Sequence, residues 1–528
     1  MGRLASTDKL KSHSHGNDLA FALLFLGLLA AHLWLLWSSR LLPFIDLPDH
    51  LATATILRYY GEPTNQFAEY YEIRSFFLKP NLFHILFCSS SLFPSVEFAN
   101  KVFYSIYVIL LPFSVLLLIR TFHGNPWYSL LSFLLMYNLS VSWGFAGFTM
   151  SIPLFLLMSY LFIRYLERPN TWIASFLASG FVFLFFVHAL MAVFAISAFA
   201  VCCMIRRGNS PRTLLSCVAA VIPIIVVMIV WWNQREVSQF AGPGFVSSLA
   251  DYYRHSYFHS VPGRIRLALF DNYFLYDGLP VKAIALVFFH AIILLLVPVL
   301  KAPRATLGVL RQPGNPDPVL LLVLLGWTLF CFLVLPDQVF NFQILYPRFS
   351  VVFLAFVIVT GSIIHSTRRL DMRTAIVCLV CIEHIVLWAD YFRDFQKENA
   401  QFARGFFPAD SNRKTLGGLV YDIDFRGKPI YVHCPSYYIV WTQGVATFRI
   451  VDFVDFAPPV RRKEGGRSIS DLPEWAWASR SFDPARLNVD YLLISGNPNG
   501  LSATGQALYR LIRSAEKWLL YEKKAPSS

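Results

Sequence analysis

Apolar runs of about 20 residues recur along the chain from residue 18 to residue 392. A run of this length matches a helix that crosses the roughly 30 Å hydrocarbon core of a bilayer. The pattern therefore predicts about eleven membrane-spanning helices. They are expected at 18–38, 102–119, 127–142, 145–163, 172–187, 189–205, 213–232, 281–300, 318–335, 349–365 and 374–392.

Lysine and arginine are concentrated in alternate loops between these runs, which predicts the orientation of the chain. Placing residues 1–17 in the cytoplasm as a tail puts most of the basic loop residues inside. These residues are Arg120, Arg164, Arg168, Arg206, Arg207, Arg212, Lys301, Arg304, Arg311, Arg368, Arg369 and Arg373. An odd number of spans then leaves the C-terminal region outside.

The segment 81–97 is apolar but short, and serines and Pro94 interrupt it. Counting it as a span would reverse every later loop, so we interpret it as an interfacial or re-entrant piece of an outer loop. Residues 18–392 are thus predicted to form the transmembrane domain, with large outer loops at 39–101 and 233–280.

The tail from 393 to 528 is richer in charge, glycine and proline, and we expect it to form a small extracytoplasmic α/β domain. Strands are predicted at 429–433 and 489–495, and a helix at 506–520. The predicted fold class is an all-α polytopic membrane bundle with this C-terminal α/β domain.

Composition agrees with a membrane protein. The 528 residues are 56% hydrophobic and 15% charged, against about 25% charged in soluble domains, and the mean hydropathy is +0.52. The net charge of +13 lies in short loops between apolar runs, so it signals topology and argues against a nucleic-acid partner. The cysteines are mostly in apolar segments and form no disulfide framework.

An acidic cluster, Asp46, Asp49 and His50, follows the first predicted span. A helix is expected to start near Asp49, which would make Asp49 an N-cap. Asp46 is the candidate general base, because a carboxylate at the outer membrane face can take a proton from an attacking hydroxyl; the alternative is a solvated loop acid. His50 is a candidate to orient a carboxylate or bind an anion, or else a structural histidine. A divalent cation is a candidate cofactor of this trio.

Cationic residues on the predicted outer side are candidates to bind a phosphate. Arg348 is the only basic residue of its short loop, and arginine matches phosphate oxygens bidentately. Contact with lipid headgroups, or an amphipathic interfacial helix around 254–266, is the alternative. The other candidates are Lys79, Arg254, His259, Arg264, Arg266 and, at an outer turn, His188; Arg58, Arg74 and His255 belong to the same outer set.

Ionisable residues inside predicted spans, His290, Glu383 and His384, favour a different function. Such residues mark transport pathways in many membrane proteins. A membrane transporter or lipid flippase is therefore an alternative, and a non-catalytic membrane assembly protein is another. No P-loop, GxSxG elbow, HExxH or dinucleotide fingerprint occurs, so an enzyme here would draw its activated substrate from the membrane.

Five short motifs give the chain a family resemblance. DLPDHLATA at 46–54 is similar to an Asp-x-Pro-Asn-His-Leu-Ala motif of bacterial members of the GT-C superfamily of membrane glycosyltransferases. YNLSVSWGF at 137–145, FFVHAL at 185–190, YPRF at 346–349 and HCPSYYIVWTQG at 433–444 also resemble stretches of those proteins.

The resemblance implies an inverting glycosyltransferase in the bacterial inner membrane, part of cell-envelope synthesis. Its donor would be a polyprenyl-phosphate sugar, and its base an acid of the first outer loop. The related motif keeps an acid at Asp46, so Asp46 is preferred over Asp49. Arg348, with Lys79 or the 254–266 cations, would then neutralise the departing phosphate.

Overall fold

The computed structural model describes residues 2–205, 211–234, 254, 256–271, 278–301, 308, 316–339, 344–364, 372–447, 459–467, 469, 487–496, 501 and 503–525. Much of the predicted outer loop 233–280, including His255, and parts of the predicted tail domain lie outside these residues.

The chain divides into two compact units. The first comprises Met1–Ser38, Tyr104–Val141 and Gly147–Ala389. The second comprises Ser39–Phe103, Ser142–Ala146 and Asp390–Ser528. The second unit therefore combines the predicted first outer loop with the predicted tail domain.

The described structure is mostly helical, with a small C-terminal sheet. The helices are α1 (Gly2–Ser38), α2 (Leu47–Tyr59), α3 (Phe67–Tyr70), α4 (Phe83–Ser89), α5 (Val96–Thr121), α6 (Leu131–Leu134), α7 (Leu139–Ser142), α8 (Ala146–Glu167), α9 (Thr171–Val187), α10 (Ala189–Ile205), α11 (Pro211–Gln234), α12 (Val261–Arg266), α13 (Leu279–Lys301), α14 (Pro318–Val334), α15 (Pro347–Ile364), α16 (Met372–Glu398), α17 (Tyr437–Thr442) and α18 (Ala503–Leu508). The strands are β1 (Tyr71–Ile73), β2 (Ser256–Tyr257), β3 (Gln338–Val339), β4 (Thr415–Val420), β5 (Val445–Ala446), β6 (Val460–Arg462), β7 (Tyr491–Ser495), β8 (Tyr509–Ser514) and β9 (Trp518–Lys523).

Five of the described helices are long and apolar enough to cross a membrane: α1 from Asn17, α5, α8, α15 and α16. Five shorter apolar stretches, of 10–17 residues, lie in α9, α10, α11, α13 and α14. These helices coincide with ten of the eleven predicted spans, and they are compatible with a membrane protein.

The remaining predicted span, 127–142, is wrong as a continuous helix. A 3₁₀ helix at Pro126–Leu130 leads into α6, and α7 follows after a break. Asn138 holds the break, because its amide nitrogen donates to the carbonyl of Leu135 and its side-chain oxygen accepts from the backbone nitrogen of Ser140. Irregular backbone is tolerated at membrane depth only where protein or water satisfies its polar groups. Hydropathy alone does not detect such a break.

Helix α4 lies within the ambiguous segment 81–97. It has only 7 residues, which at 1.5 Å per residue is about 10 Å and too short to cross a bilayer. The segment therefore contains no spanning helix.

Helices α13 and α15 of the first unit approach each other closely at Gly361. A Cβ added to this glycine would lie 2.6–2.9 Å from three side-chain carbons of Leu295. Small residues of this kind allow apolar helices to pack without a hydrophobic driving force. Gly326 in α14 is different, because nothing lies within 4 Å of the same added atom.

The sheet of the second unit has the order β5-β4-β7-β9-β8. Strands β4 and β7 are parallel, whereas β7, β9 and β8 are antiparallel neighbours. A separate antiparallel pair joins β1 to β6, with Tyr71 opposite Arg462. Sequence segments from both ends of the chain therefore build this one unit.

The sheet corrects two predicted elements of the tail. Residues 429–433 form turns rather than a strand, and the predicted helix 506–520 is the end of the short α18 followed by β8 and the first half of β9. Aromatic and branched residues in 509–521 suit a strand, and pairing with β7 outweighs their helix-like spacing. The predicted strand at 489–495 is confirmed as β7.

We expect Gly361→Ala to lower the thermal midpoint of the purified protein, because overpacking costs about 1–3 kcal/mol. Gly326→Ala is the matched control and should leave the midpoint unchanged or raise it, since alanine favours a helix by up to about 1 kcal/mol. A thermal shift measurement in detergent compares the two. Equal midpoints would contradict the close approach at Gly361.

Candidate functional site

Asp46 lies at the N-cap of α2, one residue before the helix begins. Its backbone nitrogen donates to the carbonyl of Trp143 at 3.0 Å, and Ile45 makes a similar bond to Ser142. Gly144 adopts a positive φ of 80°, and a Cβ there would lie 3.0 Å from the backbone nitrogen of Asp46 and 2.9 Å from that of Leu47. Only glycine fits this approach without strain, so the 142–146 segment fixes the position of Asp46.

Asp49 is not the helix cap that the sequence predicted, because α2 starts two residues earlier. It lies in the first turn with 4% of its surface exposed. One carboxylate oxygen accepts a hydrogen bond from the hydroxyl of Ser436. The other lies 3.2 Å from Nδ1 of His433.

His433 lies between the two aspartates. Its Nδ1 faces Asp49, while its Nε2 is 3.6 Å from a carboxylate oxygen of Asp46. Residues three apart share a face at the start of a helix, so one imidazole reaches both acids. We call Asp46, Asp49, His433 and Ser436 the aspartate–histidine cluster; all four belong to the second unit.

The C-terminal part of the second unit presents His433 and Ser436 to α2. Residues Cys434–Ser436 form a 3₁₀ turn that runs directly into α17, with His433 as its N-cap. This turn and α17 pack on α2. The spacing of three residues puts His433 and Ser436 on one side of the turn, where both contact Asp49.

Burial raises the pKa of the Asp49 carboxyl, while His433 and the Ser436 hydroxyl act in the opposite direction. The nearby imidazole and the hydrogen bond from Ser436 therefore offset part of the cost of removing the carboxylate from water. Asp46 retains more contact with solvent, since 27% of its side chain is exposed.

His50 does not join the acidic cluster. Its ring stacks obliquely on His84 at 5.5 Å between centroids, and its Nδ1 has no hydrogen-bond partner among the described residues. Burial lowers the pKa of His50 to about 3, with His84 and His433 contributing further. Because its ring packs against the buried ring of His84, the structure favours the structural interpretation of His50.

His84, the other member of this pair, is buried, whereas His50 is half-buried. Its Nε2 lies 2.9 Å from the side-chain oxygen of Asn100 and 3.5 Å from the sulfur of Cys88. Burial lowers the pKa of His84 to about 4, although the bond to Asn100 acts against the shift. Both histidines are therefore neutral in the folded protein at pH 7.

Arg348 and His188 lie together in the first unit. The Arg348 guanidinium lies 5.5 Å from the ring centre of Phe148, and its Nε donates to the carbonyl of Ile344 at 2.8 Å. The same phenyl ring makes an edge contact with His188 at 5.0 Å. Nδ1 of His188 is buried and makes no hydrogen bond within the described part of the chain. We call these two residues the arginine–histidine pair.

Arg264 has a structural role that the sequence did not reveal. It is 2% exposed, and its guanidinium donates to the carbonyls of His259, Phe332 and Leu335. The last two carbonyls belong to the C-terminal end of α14, where a cation is stabilising. The ring of Tyr346 lies 4.1 Å from the same guanidinium.

His259 faces Asp337, with 3.5 Å between Nδ1 and the carboxylate, and the hydroxyl of Tyr346 lies 3.4 Å from the same nitrogen. Burial raises the pKa of Asp337, which His259 and Arg264 oppose. Strands β2 and β3 hold this arrangement, because Tyr257 pairs with Gln338. The 256–266 stretch is thus folded against the segment after α14.

The other predicted phosphate ligands are on the surface. Arg254 and Arg266 of the first unit are exposed, and Lys79 of the second unit is half-buried in a turn. Across the described residues, no group of three His, Cys, Asp or Glu side chains is placed to hold a metal ion.

Sequence reasoning missed the roles of His433, Ser436 and Gly144. His433 is 387 residues from Asp46 in the chain, and no local pattern connects them. The available signal was indirect: the stretch 137–145 contains Gly144, the stretch 433–444 contains His433 and Ser436, and both stretches carry the family resemblance. No family model matches this chain, and no match was found among curated proteins.

The lowered pKa values of His50 and His84 predict how the stability of the protein depends on pH. An unfolded histidine takes up a proton near pH 6.5, whereas His50 and His84 resist protonation down to about 3 and about 4. The unfolded chain therefore binds more protons in this window, and stability falls as the pH drops below about 6.5. Between pH 7 and pH 5, each histidine should lower the free energy of unfolding by about 2 kcal/mol.

We expect the thermal midpoint to fall between pH 7 and pH 5, and His84→Gln to reduce that fall. His123→Gln is the control, because His123 is exposed. Thermal shift curves at several pH values measure both slopes. If the thermal midpoint of His84→Gln falls with pH as steeply as that of the wild type, His84 does not stay neutral in the folded protein.

Proposed function

We propose that this protein is an inverting membrane glycosyltransferase of the GT-C type that uses a polyprenyl-phosphate-linked sugar. The acceptor O–H proton passes to Asp46 as the oxygen attacks the anomeric carbon. The bond between that carbon and the phosphate oxygen breaks, and its electron pair stays on the phosphate. The configuration at the anomeric carbon is inverted.

The aspartate–histidine cluster is the observation that carries this proposal. A general base must reach its substrate and keep a fixed position. Asp46 is partly exposed, its backbone is bonded to Trp143, and its carboxylate is close to His433. Asp49 suits the role less well, because Ser436 and His433 already occupy its two oxygens.

Arg348 is the proposed partner of the leaving phosphate. Its guanidinium is oriented by Ile344 and Phe148, and a preoriented cation stabilises charge that develops in the transition state. His188 is the proposed second donor to the phosphate, since its Nδ1 makes no hydrogen bond to any described residue. For Arg254, Arg266 and Lys79 we propose contact with lipid headgroups.

The proposal includes a topology. The ten apolar helices and the broken 126–142 segment together make eleven crossings, with residues 1–17 in the cytoplasm. Asp46 and the C-terminal sheet then lie on the outer face of a bacterial inner membrane. Basic loops between the helices support this orientation.

Asp46→Asn should lower turnover by at least about 100-fold, because an amide cannot accept the proton. The assay uses purified protein in proteoliposomes with a polyprenyl-phosphate sugar, and it measures transfer of the radiolabelled sugar. Asp424→Asn is the matched control, since Asp424 is an exposed aspartate of the same unit. Undiminished transfer by Asp46→Asn would remove Asp46 as the base.

A lipid transporter is a second candidate, favoured by the broken segment of the first unit. Transporters place discontinuous helices and buried polar groups at the middle of the membrane. His32 is 0% exposed and stacks on Phe133, and neither of its ring nitrogens is hydrogen-bonded within the described residues. The ring of His384 lies 6.4 Å away. Glu383 and His290, by contrast, are exposed on their helices.

This candidate predicts that His384→Gln abolishes movement of a fluorescent lipid across proteoliposome membranes and leaves sugar transfer intact. His290→Gln is the control, because it changes an exposed histidine of another apolar helix. Equal lipid movement in the two variants and in protein-free vesicles would exclude transport.

A further inference from the structure

The two ring nitrogens of His433 face two different carboxylates, and their distances are unequal. Nδ1 is 3.2 Å from Asp49, whereas Nε2 is 3.6 Å from Asp46. Both neighbours are carboxylates and can only accept, but only Asp49 lies within hydrogen-bond distance, so the neutral ring carries its single proton on Nδ1. The lone pair of Nε2 then points toward Asp46.

The exposed fraction of the side chain increases from Asp49 through His433 to Asp46. It is 5% for Asp49, 18% for His433 and 27% for Asp46. The chain of groups therefore runs from a buried carboxylate to one that meets solvent. A purely structural ion pair would need only one carboxylate, and Asp49 already has the hydroxyl of Ser436 as a further partner.

Three separate segments of the second unit hold these groups in place. Asp46 is bonded through its backbone to Trp143, Asp49 lies in the first turn of α2, and His433 precedes the 3₁₀ turn before α17. Because the supports are backbone elements, the ring is oriented before any substrate binds. Catalytic distances are often long without substrate and shorten on binding, so 3.6 Å is suitable for a transfer that follows binding.

We infer that His433 is a positioning residue that receives the acceptor's proton from Asp46, while Asp49 and Ser436 fix its tautomer. The inference rests on the proposed transfer function. The acceptor O–H bond breaks and the proton forms a bond to Asp46, then moves from Asp46 to Nε2 of His433. Asp49 stabilises the resulting imidazolium, which later releases the proton to solvent, and Asp46 is a carboxylate again.

A structural role and a proton-accepting role differ in what His433→Gln does. The glutamine amide can donate a hydrogen bond to Asp49, but it cannot accept a proton from Asp46. A structural role would therefore survive this change, whereas a relay would not. The expected result is a fall in kcat of about 100-fold with KM within about threefold of wild type.

His123→Gln is the matched control and should keep the wild-type kcat and KM, since His123 is exposed and belongs to the other unit.

Imidazole rescue tests the same group by another route. His433→Ala removes the ring, and added imidazole should restore turnover in proportion to its concentration. Asp46→Asn should not respond to imidazole. Size-exclusion profiles and thermal midpoints identify any variant that fails to fold; the judgement then rests on His433→Gln, which keeps a donor for Asp49.

A spectroscopic measurement separates the relay from the transfer reaction itself. In protein labelled with ¹⁵N-histidine, the wild-type His433 signal should show a proton on Nδ1, and Asp49→Asn should disturb this tautomer. If no sugar is transferred but the tautomer is as expected, the proposed function fails and the hydrogen-bonded geometry stands. Turnover by His433→Gln within threefold of wild type, or a His433 signal unaffected by Asp49→Asn, would overturn the relay.

Discussion

The packing of the second unit depends on the partners that the buried carboxylate of Asp49 requires. An ionised carboxylate without partners is too costly in a protein interior, and removing one partner of a buried pair costs about 3–5 kcal/mol. Its partners, His433 and Ser436, come from the far end of the chain, 387 residues from Asp49 in the case of Ser436. The requirement therefore holds the turn before α17 against α2, and it sets the orientation of the ring that faces Asp46.

The same requirement explains the broken segment of the first unit. A helix satisfies its own backbone, but residues 126–142 leave the helical path and need other partners. Asn138 supplies several of them, and the hydroxyl of Tyr107 donates to the carbonyl of Met136. His32 is the exception nearby, because its buried ring makes no hydrogen bond to the described residues. An unsatisfied group of this kind costs about 1–3 kcal/mol, which is why it draws attention as a functional position.

Hydropathy predicted eleven helices, and ten of them are present as helices, because length and apolarity are properties of a single segment. It was wrong for 127–142, where the side chain of Asn138 competes with the helix, and such competition depends on neighbours such as Tyr107. The local pattern also predicted a helix where β8 and the start of β9 lie. The prediction was wrong because strand pairing, which begins with β7, determines their conformation. Asp46 was proposed as a site residue from its local motif, and that assignment stays a prediction. His433 was not proposed, because its contact with Asp46 and Asp49 spans most of the chain.

Asp46 and Asp49 have the same side chain and lie one helical turn apart, yet their surroundings assign them different work. Asp49 has both oxygens in contact with donors and almost no exposed surface, so an acceptor hydroxyl cannot approach within the roughly 3 Å that proton transfer requires. Asp46 has the exposed surface and a fixed backbone. A buried carboxylate suits the orientation of a ring, and an exposed one suits contact with a substrate. In the proposed mechanism the two roles therefore follow from depth rather than from residue type.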